Sequence, residues 1–230
     1  KKQLGDEHLN VTNTLNNLAL LYYDQGRYIE AEPLYQEALK VRKRLLGRDH
    51  LNVATSLNNL GALYFAQERY SEAESLYQEA LAICRKLLGN EHPNVANSLN
   101  NLAAFYLSQE RYEQAKSLLI EAADLYRKVL GNEHPNVAIS LNNLARCYRE
   151  KQDYIQAGTL CQEALKIAEK ALPEEHHLRG RFLDDFGSLH AVQGLIIEAE
   201  SIYRQALGIL EKVLGAKHSW TVSCRENLES

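Results

Sequence analysis

Leucine, alanine and tyrosine recur along this chain at spacings of three, four and seven residues, in two alternating sets. Leu15, Leu18, Ala19 and Tyr22 form one apolar stripe over about residues 11–25, and Tyr28, Ala31, Tyr35 and Ala38 form a second over about 28–46. Apolar positions at that spacing fall on one face of an amphipathic helix, so the pattern predicts a helix A, a short polar turn and a helix B. The first stripe returns as Leu57, Leu60, Gly61 and Tyr64, as Leu99, Leu102, Ala103 and Tyr106, and as Leu141, Leu144, Ala145 and Tyr148. The second returns as Tyr70, Ala73, Tyr77 and Ala80. Ala and Gly let helix backbones approach closely, while Tyr and Leu fill the space between them. One such pair cannot bury both of its faces, so the pairs must stack.

The period is set by histidines. His8, His50, His92, His134, His176 and His218 stand 42 residues apart, each in an LGxxH frame or a near variant. This divides the chain into repeats at 9–50, 51–92, 93–134, 135–176 and a divergent 177–218. Residues 1–8 read as the end of a preceding repeat, and 219–230 as a partial helix of a following unit or cap. With no Met in the chain, the whole reads as a fragment of something longer. Gly47, Gly89, Gly131 and Gly215 stand where a helix-ending residue with positive φ is wanted, and Leu172-Pro173 is the one departure. Pro93 and Pro135 open a helix A, where a missing N–H costs nothing, whereas Pro33 lies beyond the first turn of its helix B and predicts a local bend.

The pattern LNNLAxxYxxQxRYxEAExLYQEAL resembles the tetratricopeptide repeat, with small residues on both helices and an aromatic after the turn. The common form has about 34 residues. The 42-residue form here, with a longer helix B and the linker LGxxHPxVxxxLNNLA, is similar to the cargo-binding repeats of kinesin light chains. The resemblance implies an all-α fold, a right-handed α-solenoid of antiparallel helix pairs, whose inner groove binds a peptide or helix of a partner protein. The heptads by which a light chain joins its heavy chain are absent, so nothing in the sequence supports association with a motor. HEAT repeats of about 40–47 residues lack this alternation of small and aromatic positions.

Composition narrows the function. The chain is 45% hydrophobic and 24% charged, with a net charge of −4, and it has no concentration of Lys and Arg to meet a nucleic-acid backbone. No apolar run approaches the ~18 residues of a membrane span. A soluble, cytoplasmic protein is expected. Cys84, Cys147, Cys161 and Cys224 form no CxxC pair and read as reduced packing residues. The periodic histidines lie too far apart to share a metal, and read as turn residues that help satisfy the next helix's free N–H groups. No nucleophile, phosphate or dinucleotide motif is present. The expectation is no enzyme activity, no cofactor, no metal site, and a protein partner rather than nucleic acid or membrane.

The candidate site is a set of Asn pairs on helix A, Asn16-Asn17, Asn58-Asn59, Asn100-Asn101 and Asn142-Asn143. Asn is a mediocre helix former, so its recurrence inside helices points to work done by the amides. Two roles are open to them. A side-chain amide offers both donor and acceptor to an extended peptide backbone, the role favoured for Asn16, Asn58, Asn100 and Asn142. The alternative, bonding to neighbouring helix backbone, is as strong for Asn17, Asn59, Asn101 and Asn143. Specificity would come from positions further along helix A: Tyr23, Phe65 and Leu107 are apolar, whereas Arg146, Arg149 and Arg181 are basic. That gradient predicts a bound segment apolar toward the first repeat and acidic toward the fourth, unless Glu150, Asp184 and Asp185 neutralise the arginines internally. In kinesin light chains, Lys and Arg on the inner face meet acidic residues beside a Trp; of the positions after the helix-A Tyr, only Arg149 is basic here. The alternative function is a regulatory or sensory module whose groove takes an intramolecular segment or small ligand and controls an attached effector domain.

Overall fold

A computed structural model describes residues 9–229; residues 1–8, with His8 and the predicted end of a preceding repeat, and Ser230 lie outside the described residues. Eleven α-helices and no strand are present among them. Helices A are α1 (Leu9–Asp24), α3 (Leu51–Ala66), α5 (Pro93–Ser108), α7 (Pro135–Glu150) and α9 (His177–Val192), and helices B are α2 (Tyr28–Leu46), α4 (Tyr70–Leu88), α6 (Tyr112–Leu130), α8 (Tyr154–Ala171) and α10 (Ile196–Leu214). A final helix, α11 (Ser219–Glu229), occupies a helix-A register. The chain forms two compact units, residues 1–105 and 106–230, whose division falls inside α5. In the first, α1 packs on α2, α3 on α4, and α2 on α3; in the second, α7 packs on α8, α9 on α10, α6 on α7, α8 on α9 and α10 on α11. The fold is an all-α solenoid of consecutive helix pairs.

The small positions carry the close approaches. Ala19, Ala31, Ala38, Ala73, Ala80, Ala157, Ala164 and Ala206 have no exposed surface or almost none. A methyl on Gly187 would meet the Tyr203 ring at 2.8 Å, and one on Gly61 would meet Tyr77 at 3.2 Å. Leu60, Leu102 and Leu144 are buried as the stripe predicts, whereas Leu18 at the same position is 39% exposed, because no described helix covers that flank of α1.

Each of five helices begins under a histidine. His50, His92, His134, His176 and His218 accept at Nδ1 from the backbone N–H two residues on, at 3.1–3.2 Å. The ring therefore satisfies one of the donors that a helix start leaves open, and needs its Nδ1 lone pair to do so. Helices B end where expected: Gly47, Gly89, Gly131 and Gly215 have φ between 72° and 89°. At the glycine-free end, Leu172 is extended and α8 stops one residue sooner. Helix α2 runs unbroken through Pro33 from Tyr28 to Leu46.

The A-to-B turn holds Gly26, Glu68, Glu110, Gln152 and Gly194 in the left-handed region, with φ of 57–78°. Beside it, Arg27, Arg69 and Arg111 lie over Tyr22, Tyr64 and Tyr106, 3.7–4.2 Å from the ring centroids. Arg42 replaces a residue that is Cys84, Tyr126, Ala168 and Leu210 in later repeats. It is 5% exposed and among the described residues has no carboxylate partner; instead it donates to Thr12 Oγ1, Ser56 Oγ, Asn13 Oδ1 and the Asn52 carbonyl at 2.7–3.2 Å. That buried cation, invisible in the periodicity, ties α1, α2 and α3 together.

Two outcomes test this account. Ala80→Leu should lower stability by about 1–3 kcal/mol, since a methyl at a helix crossing cannot grow without parting the helices. His134→Ala should cost about 1 kcal/mol and His134→Asn much less, because Asn also caps. Urea-unfolding midpoints of the three variants decide both.

Candidate functional site

The Asn pairs lie at equivalent places on successive helices A, and the next residues in register are Asp184-Asp185 on α9 and Glu226-Asn227 on α11. Their side chains meet between repeats. Asn59 Nδ2 donates to Asn16 Oδ1 at 3.1 Å, Asn142 Nδ2 to Asp185 Oδ2 at 2.5 Å, and Asn227 Nδ2 to Asp184 Oδ1 at 3.1 Å. In each case the first member of one pair reaches the second member of the next, 43 residues on. The expected division of labour is therefore redrawn: these bonds run side chain to side chain, not to helix backbone, and the first member is as engaged as the second. Asn16 and Asn142 are 9% and 1% exposed, Asn58 and Asn100 are half-buried, and it is Asn17 and Asn101 that face solvent.

In the first compact unit a cleft of about 340 Å³ lies against α3 and the first part of α5, walled by Asn58, Asn59, Asn94, Asn97, Asn101 and Thr55. Asn58 Oδ1 is buried there and accepts no hydrogen bond. A buried carbonyl left in that state costs about 1–3 kcal/mol.

The apolar candidates are less accessible than their sequence positions suggest. Tyr23 is half-buried against Tyr28, with centroids 5.6 Å apart, and burial pushes its hydroxyl pKa up. Phe65 packs on Tyr70 and meets the edge of Phe105 at 6.0 Å. Leu107 is 5% exposed and belongs to the core, so it offers no surface to a ligand.

The three arginines separate. Arg149 is taken by its neighbour Glu150, to which it donates from Nε and Nη2 at 3.0 and 2.8 Å. Arg146 Nε stands 3.8 Å from Asp185 Oδ1. Arg181 donates to Asn143 Oδ1 at 3.4 Å and lies over Trp220, 5.1 Å from the ring centroid. Arg146 and Arg181 line one cavity of about 260 Å³ together with Asp184, Asp185 and Trp220. Internal neutralisation by acids is thus present at Arg149 and partial at Arg146. Trp220 escaped sequence reasoning, because its register position holds Asn10, Asn52, Asn94, Asn136 and Leu178 elsewhere and no periodic signal marks it. His190, in place of a core Tyr, is a packed imidazole whose Nδ1 lies 3.0 Å from the Phe186 carbonyl. No cluster of three or more His, Cys, Asp or Glu side chains among the described residues could hold a metal ion.

Stacked helix pairs of this kind, with polar side chains gathered on helix A, define an α-helical repeat protein built for protein interaction. The chain belongs to the tetratricopeptide repeat family, whose pattern matches residues 10–86, 57–118, 94–170 and 181–219. Among solved structures it is similar to BtubC (BKLC) from P. vanneervenii, at 25% identity and TM-score 0.74 over 90% of this chain and 82% of that one. A putative kinesin light chain from Podosopora anserina with nearly identical TPR-like repeats matches at 27% identity and TM-score 0.71, over 89% and 97%. The apo form of RapI shares the fold at 17% identity, TM-score 0.70, over 94% and 81%. No curated protein matches the sequence.

The bonding pattern orders the Asn substitutions. Asn142→Ala, which strips Asp185 of its amide donor inside the fold, should cost about 1–3 kcal/mol, whereas Asn101→Ala should change stability by less than about 0.5 kcal/mol. Chemical denaturation of both variants measures the difference.

Proposed function

We propose that this chain is a non-catalytic scaffold that holds an extended segment of a partner protein in the amide-lined cleft of its helix-A face. The observation that carries the reading is Asn58 Oδ1, a buried acceptor without a donor in a cleft walled by further amides. An extended backbone presents N–H and C=O groups in alternation, and side-chain amides answer both without dictating sequence. The tetratricopeptide architecture and the likeness to kinesin light chain-like structures support the same reading.

A cytoplasmic setting fits the four cysteines, all buried and unpaired. Burial pushes the Cys147 thiol up to about 11 and Cys161 up to about 12, which leaves both as inert packing groups. Such thiols suit a reducing compartment. Among the described residues no helix is long and apolar enough to cross a membrane. A second reading, a regulatory or sensory module whose groove takes an intramolecular segment or small ligand to control an attached effector domain, uses the same cleft.

A pull-down with the chain as bait, followed by peptide mapping, supplies a labelled segment for fluorescence anisotropy. Asn58→Ala should then weaken binding about fivefold to tenfold, the equivalent of roughly 1 kcal/mol for one hydrogen bond, while leaving the unfolding midpoint in place. Unchanged affinity would remove the cleft from the interaction.

A further inference from the structure

We propose that the amide-lined cleft against α3 and α5 takes an arginine side chain of the partner segment, whose guanidinium bonds to the oxygens that Arg42 uses one repeat earlier. This rests on the reading of that cleft as the place where a segment is held, and adds the side chain that enters it. The equivalence runs residue by residue. Arg42 donates to Thr12 Oγ1 and Asn13 Oδ1 on α1 and to the Asn52 carbonyl and Ser56 Oγ on α3. One period of 42 residues on, these five positions are Cys84, Ala54, Thr55, Asn94 and Ser98, and all five wall the cleft. The guanidinium has given way to a short thiol, and a space of about 340 Å³ lies open.

The acceptors have outlasted the arginine. Ser98 Oγ donates weakly to Cys84 Sγ at 3.5 Å and Thr55 Oγ1 to the Leu51 carbonyl at 3.1 Å, so both hydroxyls keep their lone pairs. The Asn94 carbonyl stands in the register of the Asn52 carbonyl, and Asn58 Oδ1 is buried in the same cleft without a donor. Only Ala54 has lost an oxygen. None of the residues walling the cleft is charged, and none of the Arg42 partners is either, so this chain already holds one guanidinium on neutral oxygens alone. Arginine suits the place better than lysine, because its planar fork carries five donors and is weakly hydrated, whereas an ammonium is a compact, strongly hydrated charge. Elsewhere the chain fills the position itself. Tyr126 and Leu210 are fully buried in the register of Arg42, and beside the small Ala168 the serine is replaced by a buried Phe182. At Cys84 the serine is kept and the side chain is short. Thr55 and Asn97 are exposed at the cleft, which opens it to a side chain entering from solvent.

Proton–nitrogen NMR spectra of the isotope-labelled chain are recorded as acetyl-Ala-Ala-Arg-Ala-Ala-amide is added, and again with its citrulline and Lys counterparts. The Arg peptide should shift the backbone amides of Asn94 and Ser98 and the side-chain amide of Asn58 saturably, binding about tenfold or more tightly than either counterpart. Cys84→Arg, which supplies the guanidinium from within as Arg42 does, should fold and lose the response. Ser98→Ala and Thr55→Val, each removing one acceptor, should weaken binding about threefold to tenfold, and they carry the test if Cys84→Arg does not fold. Equal binding of all three peptides at these resonances refutes the arginine site and leaves the cleft as a groove for backbone. A folded Cys84→Arg chain that still binds, unchanged affinity in both Ser98→Ala and Thr55→Val, or no response to any peptide also refutes it; the affinity of the mapped segment for Asn58→Ala then judges the cleft itself.

Discussion

A helix pair in this chain is unfinished by itself. Helix A and helix B close on each other through small residues, such as Gly61 against Tyr77 or Gly187 against Tyr203, but each keeps a second apolar flank that only another repeat can bury. Stability is therefore shared between neighbours, as in other solenoids, where intrinsic repeat stability and nearest-neighbour contacts add. The contrast between buried Leu60 and exposed Leu18 shows what the neighbour contributes. The same stripe position is core in one helix and surface in the other.

Polar groups follow the same logic at the edges of the apolar contact. The periodic histidines cap helix starts, and lysines near the ends of helices B reach back to acids in the preceding linker: Lys86 to Asp49, Lys170 to Glu133 and Lys212 to Glu175. These last pairs are exposed, so each is worth little in free energy. The Asn and Asp bonds between helices A matter more, because they are partly or fully withdrawn from water and an unpaired member there is costly. They also tie one helix A directly to the next, α1 to α3, α7 to α9 and α9 to α11.

The fifth repeat alters the chemistry without altering the frame. Asp184 and Asp185 take the places of an Asn pair, and they are met by Asn142 and Asn227 from the helices on either side. Two arginines, Arg146 and Arg181, come to the same cavity as these two acids. The amide-lined cleft in one compact unit and the cavity of two arginines and two acids in the other are chemically distinct.

The helices, their order and most of their ends could be read from the sequence, because the relevant forces act over a few residues. Apolar periodicity places Leu57 and Tyr77 in the core, histidines open helices, and glycines with positive φ close them. Asn58 and Arg181 were recognisable as candidates for the same reason, as polar residues out of keeping with a helix interior or with their repeat. Where each side chain goes was decided by packing, in most cases against residues tens of positions away. Asn16 bonds to Asn59, Leu107 sinks into the core, Arg149 turns to Glu150, and Trp220 comes over Arg181 from a helix that begins 38 residues after it. A period of 42 residues states which positions are equivalent, but burial and hydrogen-bond partners depend on the non-equivalent side chains that packing brings alongside, and only the tertiary structure decides those.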